Sequence, residues 1–105
     1  MREVNQVEVS RAKCLRGNII SKLYEFYGED ITLDVLKSVL RISFYGYDVE
    51  KEIRKAIYYL GGVQKEYVKL VLNEEDYMAS LIWLTPKGVN LAEGDLEDVG
   101  VVKDE

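Results

Sequence analysis

The sequence predicts a single α+β domain in which three helices precede a two-stranded β-hairpin and a short closing helix. Three observations predict this fold class. Apolar residues recur at three- and four-residue steps up to about residue 60, as on one face of a helix. The pattern then changes to a period of two in β-rich runs at residues 67–72 and 78–84. A length of 105 residues, 48% of them hydrophobic and 31% charged, is typical of one small globular core.

The first helix is predicted over residues 11–27. Gly17 and Asn18 interrupt its pattern, and glycine costs a helix about 1 kcal/mol relative to alanine. We therefore predict that residues 1–13 form a separate N-terminal arm or helix extension. The apolar stripe of the first helix consists of Ala12, Leu15, Ile19, Leu23 and Phe26.

Capping residues mark the starts of the second and third helices. The hydroxyl of Thr32 can accept a hydrogen bond from the first turn of a helix that contains Leu33, Leu36 and Val39. Asp48 caps the third helix in the same way, and glycines 61 and 62 end it. The buried side of this third helix is predicted to consist of Val49, Ile53, Ala56, Ile57 and Leu60.

The two β-rich runs predict a hairpin because the polar residues 73–76 separate them. Thr85 and Pro86 then suit the N-cap and the first position of a short helix, which ends at Gly94. The remaining residues, 95–105, are mainly acidic and small, and we predict a loosely held, flexible tail for them. The folded domain is accordingly predicted to span residues 14–94.

Several classes of function are disfavoured by composition. Cys14 is the single cysteine and histidine is absent, so neither an intrachain disulfide nor a metal site is expected. The missing histidine also removes the usual general base, and we predict that the protein is not an enzyme and has no cofactor. Because the sequence contains no long apolar run and no signal peptide, we expect a cytoplasmic protein without a membrane span.

Charge is distributed unevenly along the chain, whose net value is −5. Residues 1–72 carry 12 basic and 10 acidic side chains, whereas residues 73–105 carry 2 basic and 9 acidic ones. The acidity therefore belongs to the C-terminal third, and the first two thirds retain enough basic side chains for a mildly positive working surface.

Three helices closed by a two-stranded wing resemble the winged helix-turn-helix superfamily. The segment Leu84-Thr85-Pro86-Lys87-Gly88 is similar to the L-T-x-x-G segment that often leaves the last wing strand of such domains. The longer run from residue 84 to residue 101 resembles the C-terminus of small winged-helix-like proteins of Mu-like phages and prophages, which end in E-G-x-x-E-D-P-G-V or close to it. This chain has Val99 where that pattern has proline. The resemblance implies a phage or prophage origin, and that family has no firmly assigned activity.

In a helix-turn-helix protein the second helix of the motif enters the major groove, so the expected reading surface is the solvent side of residues 48–59. Glu50 and Glu52 are expected on that side too, where they would oppose DNA. The carboxylates of residues 74–76 would also be repelled, and we expect that loop to point away from any bound DNA. The predicted DNA-binding residues are Lys51, Arg54, Lys55 and Tyr58, with Lys37 and Arg41 as further phosphate contacts.

Two hypotheses of function follow. The first is a winged-helix DNA-binding protein, a small phage-type or prophage-type transcriptional regulator of double-stranded DNA that acts as a homodimer. The second, nearly as well supported, is a non-catalytic protein-protein interaction module on the same scaffold, used in phage assembly or host takeover. Its contacts would be the acidic tail and the tyrosine-rich surface. The predicted dimer interface lies on the first helix and consists of Leu15, Ile19, Tyr24 and Tyr27.

Overall fold

The computed structural model of the chain describes residues 6–40 and 48–102, and over these residues the protein is a mixed α+β domain. This confirms the predicted class at that level. The helices are α1 (Gln6–Glu25), α2 (Leu33–Val39), α3 (Val49–Leu60) and α4 (Pro86–Glu93). The strands are β1 (Ile31–Thr32), β2 (Val68–Val71) and β3 (Leu81–Leu84), and a single 3₁₀ turn spans Tyr77–Ala79.

Helix α1 is continuous over 20 residues and passes through Gly17, which is buried. The predicted boundary at residues 13 and 14 therefore falls inside a helix, and of the two predicted alternatives residues 6–13 form the helix extension and not a separate arm. Leu15, Ile19 and Leu23 explain the difference, because burying one such side chain contributes about 1.5–3 kcal/mol, more than the glycine costs. Residues 1–5 of the predicted arm lie outside the described residues.

The sheet is antiparallel with the strand order β1-β3-β2. Strand β1 was not predicted, since two residues carry no period, and it pairs Ile31 with Ile82. The hairpin of β2 and β3 was predicted, but its strands are shorter than expected. Asp76 accepts a hydrogen bond from the Met78 N–H at 3.2 Å, which starts the 3₁₀ turn where the sequence predicted strand.

The predicted helix caps are confirmed. The side chains of Thr32, Asp48 and Thr85 each accept a backbone N–H three residues later, at 3.1–3.2 Å. Gly94 adopts a left-handed conformation with φ of 88°, which ends α4 as expected. These local hydrogen bonds depend only on neighbouring residues, so the sequence predicts them well.

The C-terminal segment is packed against the domain, contrary to the predicted flexible tail. Val101 is buried in the hydrophobic core, and the Val102 N–H donates to the Lys13 carbonyl of α1 at 3.1 Å. The prediction is therefore wrong for residues 95–102, because apolar and hydrogen-bonding groups near the end of the chain offset its acidity. Residues 103–105 lie outside the described part of the chain.

Close packing of α4 on the start of β2 generates a first prediction. A Cβ atom on Gly88 would overlap the Tyr67 carbonyl oxygen and lie 2.6 Å from Leu84 Cδ2. We expect Gly88→Ala to lower the free energy of unfolding by about 2–3 kcal/mol, because neither backbone can move without disturbing the core. Asn90→Ala, an exposed change on the same helix, is the control in urea unfolding. Equal stability of the two variants would contradict the packing.

Candidate functional site

The solvent side of α3 carries a line of long side chains. The buried side of α3 consists of Ile53, Ala56, Ile57 and Leu60, as the sequence predicts. The opposite side of the helix therefore faces solvent. Steps of three, four and seven residues place four exposed side chains along one stripe of a helix. We call this set the α3 stripe; its members are Lys51, Arg54, Lys55 and Tyr58.

The two acidic residues expected beside the α3 stripe are both ion-paired. Glu52 accepts the Nε–H of Arg11 from α1 at 3.2 Å, and Glu50 lies 3.6 Å from the Nζ of Lys37 on α2. The pair of Glu50 and Lys37 is half exposed and contributes little to the stability of the fold. Each of the two ion pairs nevertheless compensates the negative charge of a glutamate near the α3 stripe. Among the described residues, no ion pair involves the cations of the stripe.

The acidic loop at residues 73–76 lies next to the α3 stripe. The guanidinium of Arg54 stacks over the Tyr77 ring at 4.0 Å. Asp76 and Tyr77 line a depression of about 420 Å³ together with Lys51 and Arg54. The loop therefore does not point away from the stripe, because the start of the 3₁₀ turn packs beside α3. A polyanion that approaches Lys51 and Arg54 also meets the carboxylate of Asp76.

The remaining predicted DNA-binding residues differ in position. Lys37 is on the neighbouring helix α2 and reaches the same side of the molecule through its contact with Glu50. Arg41 lies outside the described residues. The structure thus brings the four residues of the α3 stripe together with Lys37.

The predicted dimer residues do not form one surface. Leu15 and Ile19 belong to the hydrophobic core of the single chain and have no area left for a second copy. Tyr24 and Tyr27 are 41% and 51% exposed, and the Tyr24 hydroxyl donates to Glu93 of α4 at 2.7 Å. The apolar stripe of α1 packs against the sheet and the other helices, and it is therefore part of the core. In the sequence, a stripe that packs inside one chain has the same pattern as a stripe that forms a dimer interface.

A cluster around Asp98 was missed by the sequence reasoning. Its carboxylate accepts the hydroxyls of Tyr59 at 2.8 Å and Tyr67 at 2.7 Å, and pairs with the Nζ of Lys65 at 2.9 Å. The Gly100 N–H donates to the same carboxylate at 2.8 Å. The side chain of Asp98 is only 4% exposed. We call these five residues the Asp98 cluster.

Titration within the Asp98 cluster follows from these contacts. Burial alone would raise the pKa of Asp98, but the hydrogen bonds from Tyr67, Lys65, Gly100 and Tyr59 together hold that pKa well below its ordinary value. Burial and the Asp98 carboxylate raise the pKa of Tyr67 to about 12. The carboxylate is thus ionised and its acceptor positions are occupied by donors of the chain itself. The Asp98 cluster therefore stabilises the fold, and the carboxylate of Asp98 has no free acceptor position for a proton from a substrate.

Arg16 connects the Asp98 cluster to α1. Its guanidinium stacks over the Tyr59 ring at 4.1 Å and donates a hydrogen bond from Nη1 to the Gly100 carbonyl at 3.0 Å. The C-terminal segment is therefore joined to α1, to the end of α3 and to the start of β2. The sequence signal that could have indicated this is the run Glu97-Asp98-Val99-Gly100-Val101, which the resemblance had already singled out.

Within residues 6–40 and 48–102, no group of three or more histidine, cysteine or acidic side chains is arranged to hold a metal ion. Cys14 is exposed on α1. None of the described helices combines the length and apolar character needed to span a bilayer. No protein-family model, curated protein or solved structure matches the chain.

The buried carboxylate predicts a specific pH dependence of stability. We expect Asp98→Asn to lower the free energy of unfolding by about 2 kcal/mol at neutral pH, because hydrogen bonds to an ionised acceptor are lost. The folded state depresses the pKa of Asp98 below the value of about 3.9 for an unfolded aspartate. Its contribution is therefore complete above about pH 5 and is lost as the pH falls below about 4.

Urea unfolding of wild type and Asp98→Asn at pH 7 and at about pH 3 measures this effect. The difference between the two proteins should shrink at the lower pH, where wild-type Asp98 begins to bind a proton on unfolding. Asp95→Asn, an exposed change in the same segment, is the control. A difference that is the same at both pH values would show that the charge of Asp98 is not responsible.

Proposed function

We propose that the protein is a winged helix-turn-helix DNA-binding domain, a small regulator of phage or prophage type, that presents α3 to the major groove. One observation carries the proposal. Lys51, Arg54 and Lys55 lie on one exposed side of α3 without ion pairs to the described residues, while both carboxylates of that side are paired. Cations arranged in this way can contact phosphate oxygens and guanine edges.

The order of the elements supports the same proposal. Helices α1, α2 and α3 precede the hairpin of β2 and β3, and α2 and α3 follow each other as in a helix-turn-helix. The L-T-x-x-G residues also have physical roles here. Thr85 caps α4, and Gly88 permits the close approach of α4 to the Tyr67 carbonyl.

Weak and salt-dependent binding is expected from the charges of the site. Three phosphate contacts give a slope of log affinity against log salt of about −3 for one chain. Asp76 reduces the affinity further, because it places a carboxylate beside Lys51 and Arg54. A homodimer on a palindromic site would double the number of contacts, and its interface would have to use surface other than Leu15 and Ile19.

A second candidate function is a non-catalytic protein-interaction module, and the exposed apolar side chains favour it. Tyr58 is 86% exposed and Val63 is 89% exposed, on or just after the end of α3. Apolar side chains of this size grouped beside an acidic loop are typical of surfaces that contact other proteins. The roles in phage assembly or host takeover belong to this candidate.

Charge removal on the α3 stripe tests DNA binding. We expect the triple variant Lys51→Gln, Arg54→Gln and Lys55→Gln to lose duplex binding by at least tenfold at about 50 mM salt, with a flatter salt dependence. Fluorescence anisotropy with labelled duplex measures both. The control is a second triple variant with the same net charge, Lys13→Gln, Lys22→Gln and Lys87→Gln. Equal losses in the two variants would show that binding depends on net charge alone.

The acidic loop provides an independent test. Because Asp76 lies beside Lys51 and Arg54, we expect Glu74→Gln, Glu75→Gln and Asp76→Asn together to tighten duplex binding several-fold. Asparagine at position 76 retains the acceptor that starts the 3₁₀ turn. The control changes three exposed acids elsewhere, Glu29→Gln, Asp95→Asn and Glu97→Gln. Unchanged affinity of the loop variant would place the DNA away from this side of α3.

A further inference from the structure

Strand β2 has an outer edge to which no strand of residues 6–40 and 48–102 is paired. The Thr85 N–H donates to the Tyr67 carbonyl at 3.0 Å, which places Tyr67 and Thr85 at a hydrogen-bonded position of the antiparallel ladder, although the Tyr67 N–H donates to the Leu60 carbonyl of α3. Hydrogen-bonded pairs alternate along such a ladder, and Lys69 and Val71 are therefore the next residues bonded to β3. The N–H and C=O groups of Val68 and Leu70 consequently point to the outer edge. Val68 is buried beside Gly61, whereas Leu70 is partly exposed and can pair with an added strand.

A groove of about 1260 Å³ runs along this edge, between β2, the C-terminal half of α3 and the turn after it. We call it the α3–β2 groove. Its inner surface includes Ile57, Val68 and Leu70. Exposed apolar side chains also line it, and these are Tyr58, Val63 and Leu72. A groove that combines an open main chain at Leu70 with apolar walls has the features of a site for an added strand.

The charges bordering the α3–β2 groove are mainly positive, although the whole chain has a net charge of −5. Arg54 lies on one side of the groove and Lys69 on the other, and neither forms an ion pair with the described residues. The charge of Lys65 is compensated by Asp98, and Glu74 is the single acidic lining residue. The groove is therefore complementary to an occupant with negative side chains.

We propose that the α3–β2 groove binds an extended, acidic segment of a partner protein, which pairs with β2 as a fourth strand of the sheet. Side chains of a strand alternate between its two faces. Val68 and Leu70 are turned towards the interior, whereas Lys69 is exposed on the opposite face. The fitting segment accordingly alternates apolar residues, which enter the groove, with acidic residues, which lie beside Lys69.

This inference deepens the protein-interaction candidate and does not depend on DNA binding. It has one consequence for DNA, because Arg54 and Tyr58 belong both to the α3 stripe and to the α3–β2 groove. A bound segment covers these two side chains. The partner and a duplex therefore exclude each other.

The probe is a capped nine-residue peptide of alternating valine and aspartate with a fluorescent label. We expect it to bind the full chain at least tenfold more tightly than the same peptide with lysine in place of aspartate. Lys69→Glu should remove that preference, whereas Lys13→Glu, a change on α1 outside the groove, should leave it intact. The absence of binding at about 1 mM of the aspartate peptide, or equal binding of both peptides, would overturn the proposal.

Two N-methylated forms of the aspartate peptide test the main-chain pairing. One carries methyl groups on the amides of odd residues and the other on those of even residues, and only one of these sets faces β2 in an added strand. One form should bind like the parent peptide and the other at least tenfold more weakly. Equal binding of the two forms would overturn strand addition.

The position of the bound peptide is tested by amide resonances of the ¹⁵N-labelled protein. We expect the largest shifts at Leu70, together with slower hydrogen exchange of the Leu70 amide. Shifts confined to α1 or α4 would show that the peptide binds another surface and would overturn the assignment to the groove. Such a result would still be compatible with the broader protein-interaction candidate, whereas DNA binding is measured separately with duplex.

Discussion

The buried carboxylate of Asp98 is the interaction on which the arrangement of the rest depends. It accepts hydrogen bonds from Tyr59 at the end of α3 and Tyr67 at the start of β2, and it pairs with Lys65 in the turn between them. Removing such a group from water is costly unless its acceptor positions are filled, and here they are filled by the chain itself. Asp98 thereby joins the end of α3 to the start of β2, which bound the groove.

Positive and negative side chains lie in different regions of the surface, and the net charge of the chain does not reveal this separation. Positive side chains of α1 and α2 pair with Glu52 and Glu50, which leaves the cations of the α3 stripe to face solvent. The stripe lies beside the acidic loop, and its members Arg54 and Tyr58 also line the α3–β2 groove. Both proposed activities therefore use one side of the molecule.

Local features of the fold could be predicted because they depend on residues close together in the chain. The caps at Thr32, Asp48 and Thr85 and the inward side of α3 are examples. Strand β1 could not be predicted, since a strand of two residues is too short to show a period in the sequence. The long-range contacts of Asp98 could not be predicted either, because an aspartate in an acidic run has the same sequence pattern whether it is buried or solvated. The sequence also left open whether residues 6–13 continue α1, and packing, which outweighs the local cost of Gly17, decides that they do.

The sequence by itself determined the α+β class, the order of the main helices and the hairpin, and the residues of the α3 stripe. These follow from periodicity and capping, which act over a few residues. Only the tertiary structure decided that Leu15 and Ile19 are core, that the C-terminal segment is packed, and that β2 borders an apolar groove. Those outcomes depend on which distant surfaces meet, and burial in a shared core is determined by the whole chain rather than by any one segment of it.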